Sequence, residues 1–145
     1  MKNPWLWVIV ALVVLSSGGY AMGNPADAYF NRVNRIAEAI AYAEGFYVDG
    51  SRPQRNNNPG DLTKALGFAS IGWDSIYVVF KTVEDGWAAL RKQVQLMLTN
   101  QSSVYNSNMT ILDVARRYTT TQQNEWAANV ASHLGVPMTT KISEV

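Results

Sequence analysis

Ala43-Glu44-Gly45-Phe46 and, further along the chain, Arg55-Asn56-Asn57-Asn58-Pro59-Gly60-Asp61-Leu62 form the most informative pattern in this sequence. It joins the end of a helix to a turn rich in side-chain amides. Four apolar residues precede Glu44 at spacings of three and four: Phe30, Val33, Ala37 and Ile40. Glu44 continues this stripe, so the helix is predicted to turn the Glu44 carboxyl toward the core or a cleft.

The position of Glu44 predicts a raised carboxyl pKa. Burial disfavours the charged form of a carboxyl, and the negative end of a helix dipole does so too. Gly45 marks that end of the helix. Because a general acid must hold its proton near neutral pH, Glu44 is our candidate for proton transfer.

Helix signals occur in four places. The first helix has Asn24 as N-cap and Pro25 at its first position. Thr82 with Asp85, and Thr110 with Asp113, resemble capping boxes that begin the second and third helices. The second helix is expected to end near Thr99, and a fourth is expected from about Asn124 to Leu134.

Residues 46–81 lose helical periodicity and are rich in Gly, Pro, Asn and β-branched residues. We predict strands at 68–71 and 75–80, with Gly72-Trp73-Asp74 as the hairpin turn between them. Asn58-Pro59-Gly60-Asp61 fits a type II turn. The predicted fold class is α+β, mainly α, with a small antiparallel sheet beside a cleft.

The N-terminus has the pattern of a secretory signal peptide. Lys2 precedes an apolar run at residues 5–16, and Gly19-Tyr20-Ala21 supplies a small-residue cleavage site. The run is shorter than the ~20 residues that span a bilayer, although a retained membrane anchor is the alternative interpretation. Residues 1–21 are thus expected to be a signal peptide and residues 22–145 one domain, in a periplasmic or secreted protein.

Composition narrows the classes of function. The chain has no cysteine, which excludes lipidation at the cleavage site, disulfides and thiolate metal sites. Its 12 basic and 11 acidic residues form no run of like charge, so nucleic acid is not an expected partner. We expect no metal, no cofactor and a monomer.

Several segments together resemble a bacterial and phage branch of the lysozyme-like superfamily, similar to goose-type lysozymes and soluble lytic transglycosylases. They are residues 36–62, Tyr77–Phe80, Glu84–Leu90, Ala115–Tyr118 and 124–136. The resemblance implies a mainly helical domain with a small sheet beside a cleft, and peptidoglycan glycan strands as substrate. It makes Glu44 the catalytic acid for the β-1,4 bond between N-acetylmuramic acid and N-acetylglucosamine.

A second acid would decide the product. Hydrolases of this kind usually need a second carboxylate, and Asp49, Asp61 and Asp74 are in or near the predicted sheet. None matches a family pattern, whereas lytic transglycosylases work with one acid. We therefore favour a lytic transglycosylase, with Asp61 and Asp74 as possible second acids of a muramidase.

Six residues are candidates for binding substrate: Arg55, Asn56, Asn57, Asn58, Trp73 and Tyr118. The asparagine amides suit N-acetyl groups, although each could instead cap the loop, and Arg55 suits a lactyl or peptide carboxylate. By resemblance, Tyr118 orients the catalytic acid, with a core position as its alternative. Trp73 is expected in the cleft, and Trp87 and Trp126 in the core.

Two other interpretations remain open. The same cleft could hold a glycan strand without cutting it, as a peptidoglycan-binding or envelope-structural module. Alternatively, a retained segment at residues 5–15 could anchor an interaction protein in the membrane.

Overall fold

The computed structural model describes residues 23–145, so the predicted signal peptide, cleavage site and alternative anchor lie outside the described residues. Within this range the chain is α+β and mainly helical, as predicted. The elements in chain order are α1 (Pro25–Ala43), α2 (Arg52–Arg55), β1 (Ser70–Asp74), β2 (Tyr77–Phe80), α3 (Val83–Leu98), α4 (Ile111–Tyr118), α5 (Gln123–Leu134) and a short 3-10 helix (Ile142–Glu144).

Helix α1 begins and ends where the sequence predicts. The Asn24 side chain accepts a hydrogen bond from the Ala26 amide, Pro25 follows it, and Glu44 is the C-cap. Val33, Ala37 and Ile40 are buried along the predicted stripe. Phe30 is a correction, because it is 56% exposed near the beginning of the helix, where little packs against it.

The other three predicted helices are also confirmed. Thr82 accepts a hydrogen bond from the Asp85 amide at the beginning of α3, and Thr110 and Asp113 form a reciprocal capping box at α4. Helix α5 begins one residue earlier than expected, at Gln123, and ends at Gly135 in the left-handed conformation. Helix α2, which the sequence analysis did not predict, is one turn capped by Ser51.

The hairpin is present with a different turn. Strands β1 and β2 are antiparallel, with Trp73 opposite Val78 and Asp74 opposite Tyr77. The turn therefore lies at Ser75 and Ile76, and Trp73 belongs to a strand. Ser75 takes a left-handed φ of 60°. The sequence prediction placed the turn three residues earlier because Gly72 is the more typical turn residue.

One contiguous core holds these elements together. Helix α1 packs against α5 and α3, α4 packs against α5, and β2 contacts α3. Phe80, Ile40, Leu90 and Met97 are among the largest fully buried side chains. No helix in residues 23–145 combines the length and the apolar character that crossing a bilayer requires. The core places the end of α1, the loop after α2 and the ends of α4 and α5 around one region.

Candidate functional site

Glu44 lies at the C-terminal end of α1, and its carboxyl is held by a helix from the far end of the chain. The Trp126 indole N–H of α5 donates to Glu44 Oε1 at 2.6 Å. Burial, the largest effect, raises the pKa of Glu44 from its ordinary 4.5 to about 7, and the Trp126 hydrogen bond opposes that rise. Glu44 can therefore carry or accept a proton near neutral pH.

Two charges that act on Glu44 belong to an ion pair between buried Asp61 and the partly exposed Arg52. The Arg52 guanidinium donates to both carboxylate oxygens of Asp61, with Nε 3.1 Å from Oδ1. Arg52 also lies 3.5 Å from the centre of the Tyr77 ring, which ties α2 to the hairpin. The Asp61 charge raises the pKa of Glu44 and the Arg52 charge lowers it, so the two members of the pair oppose each other at the acid.

Asn58 is fully buried, and its amide is used entirely within the fold. Asn58 Nδ2 donates to the carbonyls of Leu62 and Val78, each at 2.9 Å, and Asn58 Oδ1 accepts from the Leu62 amide at 2.8 Å. This corrects the predicted substrate contact, because both side-chain donors of Asn58 are used within the fold and the residue is 0% exposed, so a ligand cannot reach it. Asn58 shapes the loop and joins it to β2.

The two preceding asparagines also bind protein groups. Asn56 is 5% exposed and donates to Asp74 Oδ2 at 3.2 Å, while Asn57 donates to the Phe80 carbonyl at 3.2 Å. The side-chain amides of Asn56 and Asn57 therefore donate within the fold, as in the alternative interpretation that each asparagine caps the loop. Asn57 is partly exposed and takes a left-handed φ of 52°, which asparagine tolerates.

The Asn-Pro-Gly turn is present but is not of type II. The Asp61 amide donates to the Asn58 carbonyl at 2.9 Å, whereas the left-handed residues are Asn57 and Asp61 rather than Gly60. Gly60 is required by crowding instead. A Cβ there would lie 2.6 Å from Leu90 Cδ1 and 3.0 Å from the Tyr118 hydroxyl.

Aromatic side chains form a wall beside the acid. The Tyr118 and Trp126 rings stack with their centres 5.0 Å apart, and the Tyr118 hydroxyl donates to the Gly60 carbonyl at 2.7 Å. Tyr118 was expected to orient Glu44 directly, but Trp126 makes that hydrogen bond. Tyr118 instead positions Trp126 on one side and the turn on the other.

The remaining predicted site residues have other surroundings. Arg55 is exposed and donates to the Gly50 carbonyl, and Trp73 is 60% exposed on β1. Asp74 accepts the Asn56 amide, and Asp49 accepts from Gln54 at 3.4 Å. None of these four residues is bonded to the group formed by Glu44, Trp126 and Tyr118.

A cleft of about 420 Å³ extends from this wall. Asp61, Leu62 and Tyr118 line one part of it, and the loop at residues 101–105 lines another. Glu44 itself is not part of the lining, but Asp61 and Tyr118 connect the acid to the cleft. Burial raises the pKa of the Tyr105 hydroxyl to about 12, and the charges of Arg117 and Glu44 both act on it.

Sequence reasoning missed Trp126 and Tyr105. Trp126 was placed in the core, and it is only 6% exposed, but its indole N–H is the donor to the acid. A capped helix with a tryptophan on its apolar face carries no signal of that partner, which lies 82 residues away. Residues 23–145 contain no group of three or more His, Asp or Glu side chains that could hold a metal.

Comparisons with protein-family models, with curated proteins and with solved structures give no match for this chain. The similarity to lysozymes and lytic transglycosylases therefore rests on the sequence motifs described above.

Proposed function

We propose that this protein is a lytic transglycosylase that cleaves the β-1,4 bond between N-acetylmuramic acid and N-acetylglucosamine, with Glu44 as acid and then base. One observation carries the proposal: the largely buried Glu44 carboxyl has a pKa of about 7 and accepts a hydrogen bond from Trp126 beside a cleft. Such a group can give a proton and take one back at the same pH.

The chemistry needs two proton transfers. Protonated Glu44 donates its proton to the glycosidic oxygen as the bond to the muramyl anomeric carbon breaks. The Glu44 carboxylate then removes the proton of the muramyl 6-hydroxyl, whose oxygen bonds to that carbon. The products are a 1,6-anhydromuramyl end and a free N-acetylglucosamine hydroxyl, and no water is consumed.

The surroundings of the other acids favour this reaction over hydrolysis. A hydrolase of this class needs a second carboxylate as nucleophile or as base for water. Asp61 is held by two contacts to Arg52, and Asp74 accepts the Asn56 amide. In the part of the chain that the structure describes, Asp61 is the acid whose charge acts on Glu44, and it is already paired.

Digestion of purified peptidoglycan tests the proposal. Mass spectrometry of the soluble products should show anhydromuropeptides, and Glu44→Gln should lower their rate of release at least about a hundredfold. Glu125→Gln, an exposed change on α5, is the matched control and should cleave like the wild type.

Other products would overturn the proposal in different ways. Reducing-end products, heavier by one water, would identify a muramidase. Binding to sacculi without any soluble product would identify a peptidoglycan-binding module. Undiminished cleavage by Glu44→Gln would remove Glu44 from the mechanism.

A further inference from the structure

The cleft beside the aromatic wall carries two cations without a carboxylate partner. Lys64 and Arg117 both line it, and both are exposed. The ion pairs within residues 23–145 are Arg52 with Asp61 and Arg116 with Asp113, and neither includes Lys64 or Arg117. Arg117 makes a long contact of 3.5 Å to the Asp113 carbonyl. Asp61 is the acid of the lining, and Arg52 already neutralises it.

The rest of the lining is uncharged, with aliphatic side chains from Leu62, Leu66, Leu96 and Val104 beside a set of polar ones. It includes the side chains of Thr63, Gln93, Gln101, Ser102 and Ser103. Hydroxyl and amide groups suit the hydroxyls and N-acetyl groups of a glycan, whereas Lys64 and Arg117 add two donors that favour a carboxylate on the ligand. A neutral glycan alone would leave both cations without a partner.

Tyr105 connects these cations to the acid. Its hydroxyl is close enough to both Arg117 and Glu44 for each charge to act on it. Its ring centre lies 6.2 Å from that of Tyr118, which stacks on Trp126. Tyr105, Tyr118 and Trp126 therefore form a continuous aromatic row between the cleft that Arg117 lines and the Glu44 carboxyl.

We propose that Lys64 and Arg117 bind a carboxylate on the lactyl-linked substituent of muramic acid, so that the cleft selects acidic glycan strands over neutral ones of the same linkage. This rests on the proposed function. In this proposal Lys64 and Arg117, rather than Arg55, bind the carboxylate, because Arg55 donates to the Gly50 carbonyl and does not line the cleft. The carboxylate has two sources, the lactyl group of a bare strand or the stem peptide.

Equilibrium binding to the inactive Glu44→Gln protein tests this inference. The probes are chitotetraose, a bare tetrasaccharide of alternating N-acetylglucosamine and N-acetylmuramic acid, and the same tetrasaccharide with stem peptides. At least one of the two acidic probes should bind more tightly than chitotetraose, and equal binding of all three would overturn the inference. An advantage already complete for the bare strand assigns the lactyl carboxylate, and one confined to the third probe assigns the stem peptide.

Removing the cations should abolish that preference. Lys64→Gln and Arg117→Gln should each weaken binding of the preferred acidic probe by about three- to tenfold, and the double variant should bind it no better than chitotetraose. Added salt should weaken the acidic probe selectively, because both cations are exposed. The matched controls are Arg116→Gln, one residue from Arg117 but outside the lining, and Lys92→Gln on α3.

The outcomes separate this inference from the proposed function. An unchanged preference in the double variant, or an equal loss in Arg116→Gln, would overturn the assignment while leaving cleavage by Glu44 intact. A preference that depends on Lys64 and Arg117 in a protein whose wild type releases no muropeptides would support the assignment and overturn the proposed activity. Because Arg117 is not among the charges that shift the pKa of Glu44, its loss should leave that pKa in place.

Discussion

At the scale of single residues, the proposed chemistry depends on two opposing effects on the pKa of the Glu44 carboxyl, burial and the hydrogen bond from Trp126. Burial keeps the proton on, while the indole N–H of Trp126 favours the ionised form. Removing either influence therefore changes the pKa of Glu44 in a known direction. Both predictions at this scale can be measured without any substrate, so they test the site independently of the proposed reaction.

The raised pKa makes the stability of the protein depend on pH. Between pH 4.5 and about 7, folded Glu44 keeps a proton that the unfolded chain has lost. The contribution of protonated Glu44 to the free energy of unfolding is therefore fully present below pH 4.5 and is lost as the pH rises through about 7. The free energy of unfolding of the wild type, relative to Glu44→Gln, should fall by about 3 kcal/mol from pH 4 to pH 8, because one pKa unit corresponds to about 1.4 kcal/mol.

Denaturant titrations of both proteins at the two pH values measure this difference. Glu125→Gln, whose side chain is exposed on α5, should show no comparable change. A wild type that keeps its advantage or deficit unchanged between pH 4 and pH 8 would show that Glu44 is not buried in protonated form.

Trp126→Phe should raise the pKa of Glu44 further. The substitution keeps most of the aromatic surface but removes the indole N–H that lowers this pKa. Titration of the Glu44 carboxyl carbon by NMR measures the shift directly. Trp87→Phe, which alters a ring packed on Phe46 instead, is the control, and an equal titration curve for wild type and Trp126→Phe would refute the role of the indole.

At the scale of elements, the loop after α2 is fixed by contacts to β2 and α3. Asn58 bonds to Leu62 and Val78, and Gly86 at the beginning of α3 lies directly against the Asn57 carbonyl. The loop therefore has one shape, set by neighbours on two sides. A substitution at Gly86 or at Asn58 tests whether the loop residues serve packing or ligand binding, because packing changes the free energy of unfolding and ligand binding changes the affinity for glycan.

Gly86→Ala should destabilise the protein, although alanine ordinarily stabilises a helix relative to glycine by about 1 kcal/mol. A Cβ at Gly86 would lie 1.8 Å from the Asn57 carbonyl oxygen, so helix and loop must separate. We expect a loss of about 3 kcal/mol in thermal or denaturant unfolding. Ala128→Gly, exposed on α5, should cost only about 1 kcal/mol, and a stabilised Gly86→Ala protein would contradict the close approach.

Asn58→Ala should reduce stability rather than substrate affinity. The change leaves the Leu62 amide without its acceptor and removes one donor from the Leu62 and Val78 carbonyls, although the Leu62 carbonyl keeps its bond from the Val78 amide, so we expect a cost of about 2 to 4 kcal/mol. Asn129→Ala, exposed on α5, should change stability by less than about 0.5 kcal/mol. Normal unfolding with weakened glycan binding would restore Asn58 to the substrate contacts.

At the scale of the whole molecule, the candidate site is assembled from segments that are distant in sequence. Glu44 and its donor Trp126 are 82 residues apart, and Tyr118 and Gly60 are 58 apart. Packing of α5 on α1 brings the first pair together, and packing of α4 on α5 carries Tyr118 to the turn. The site therefore exists only when the whole helical domain is folded.

Export is the prediction that concerns the chain as a whole. The apolar run at residues 5–16 followed by Gly19-Tyr20-Ala21 predicts a mature protein that begins at Met22. Intact-mass spectrometry of the protein recovered from the periplasm or medium measures this. Ala21→Phe, which removes the small residue at the cleavage point, should block processing, and a wild-type chain that retains Met1 would favour the anchored alternative.

Much of the fold follows from local sequence signals. Caps at Asn24, Thr82 and Thr110 determined where three helices begin, and apolar residues at helical spacing located α5 to within one residue. Turns were less predictable: the hairpin turn was expected at Gly72-Trp73-Asp74 but lies at Ser75 and Ile76, and Gly60 was expected at the centre of a type II turn in which Asn57 and Asp61 take the left-handed conformation instead. A glycine in a sequence does not show whether the fold needs its left-handed φ or its lack of a side chain. At Gly60 the fold needs the missing side chain, because neighbouring atoms crowd the position.

By itself, the sequence determined the α+β class, the helix boundaries and the inward position of Glu44, because caps and periodicity act within a few residues. Only the tertiary structure decided that Trp126 rather than Tyr118 binds the acid, that Arg52 neutralises Asp61, and that Lys64 and Arg117 share one cleft. These relations depend on which helices pack together. Side-chain partners tens of residues apart leave no local pattern from which the partner can be inferred.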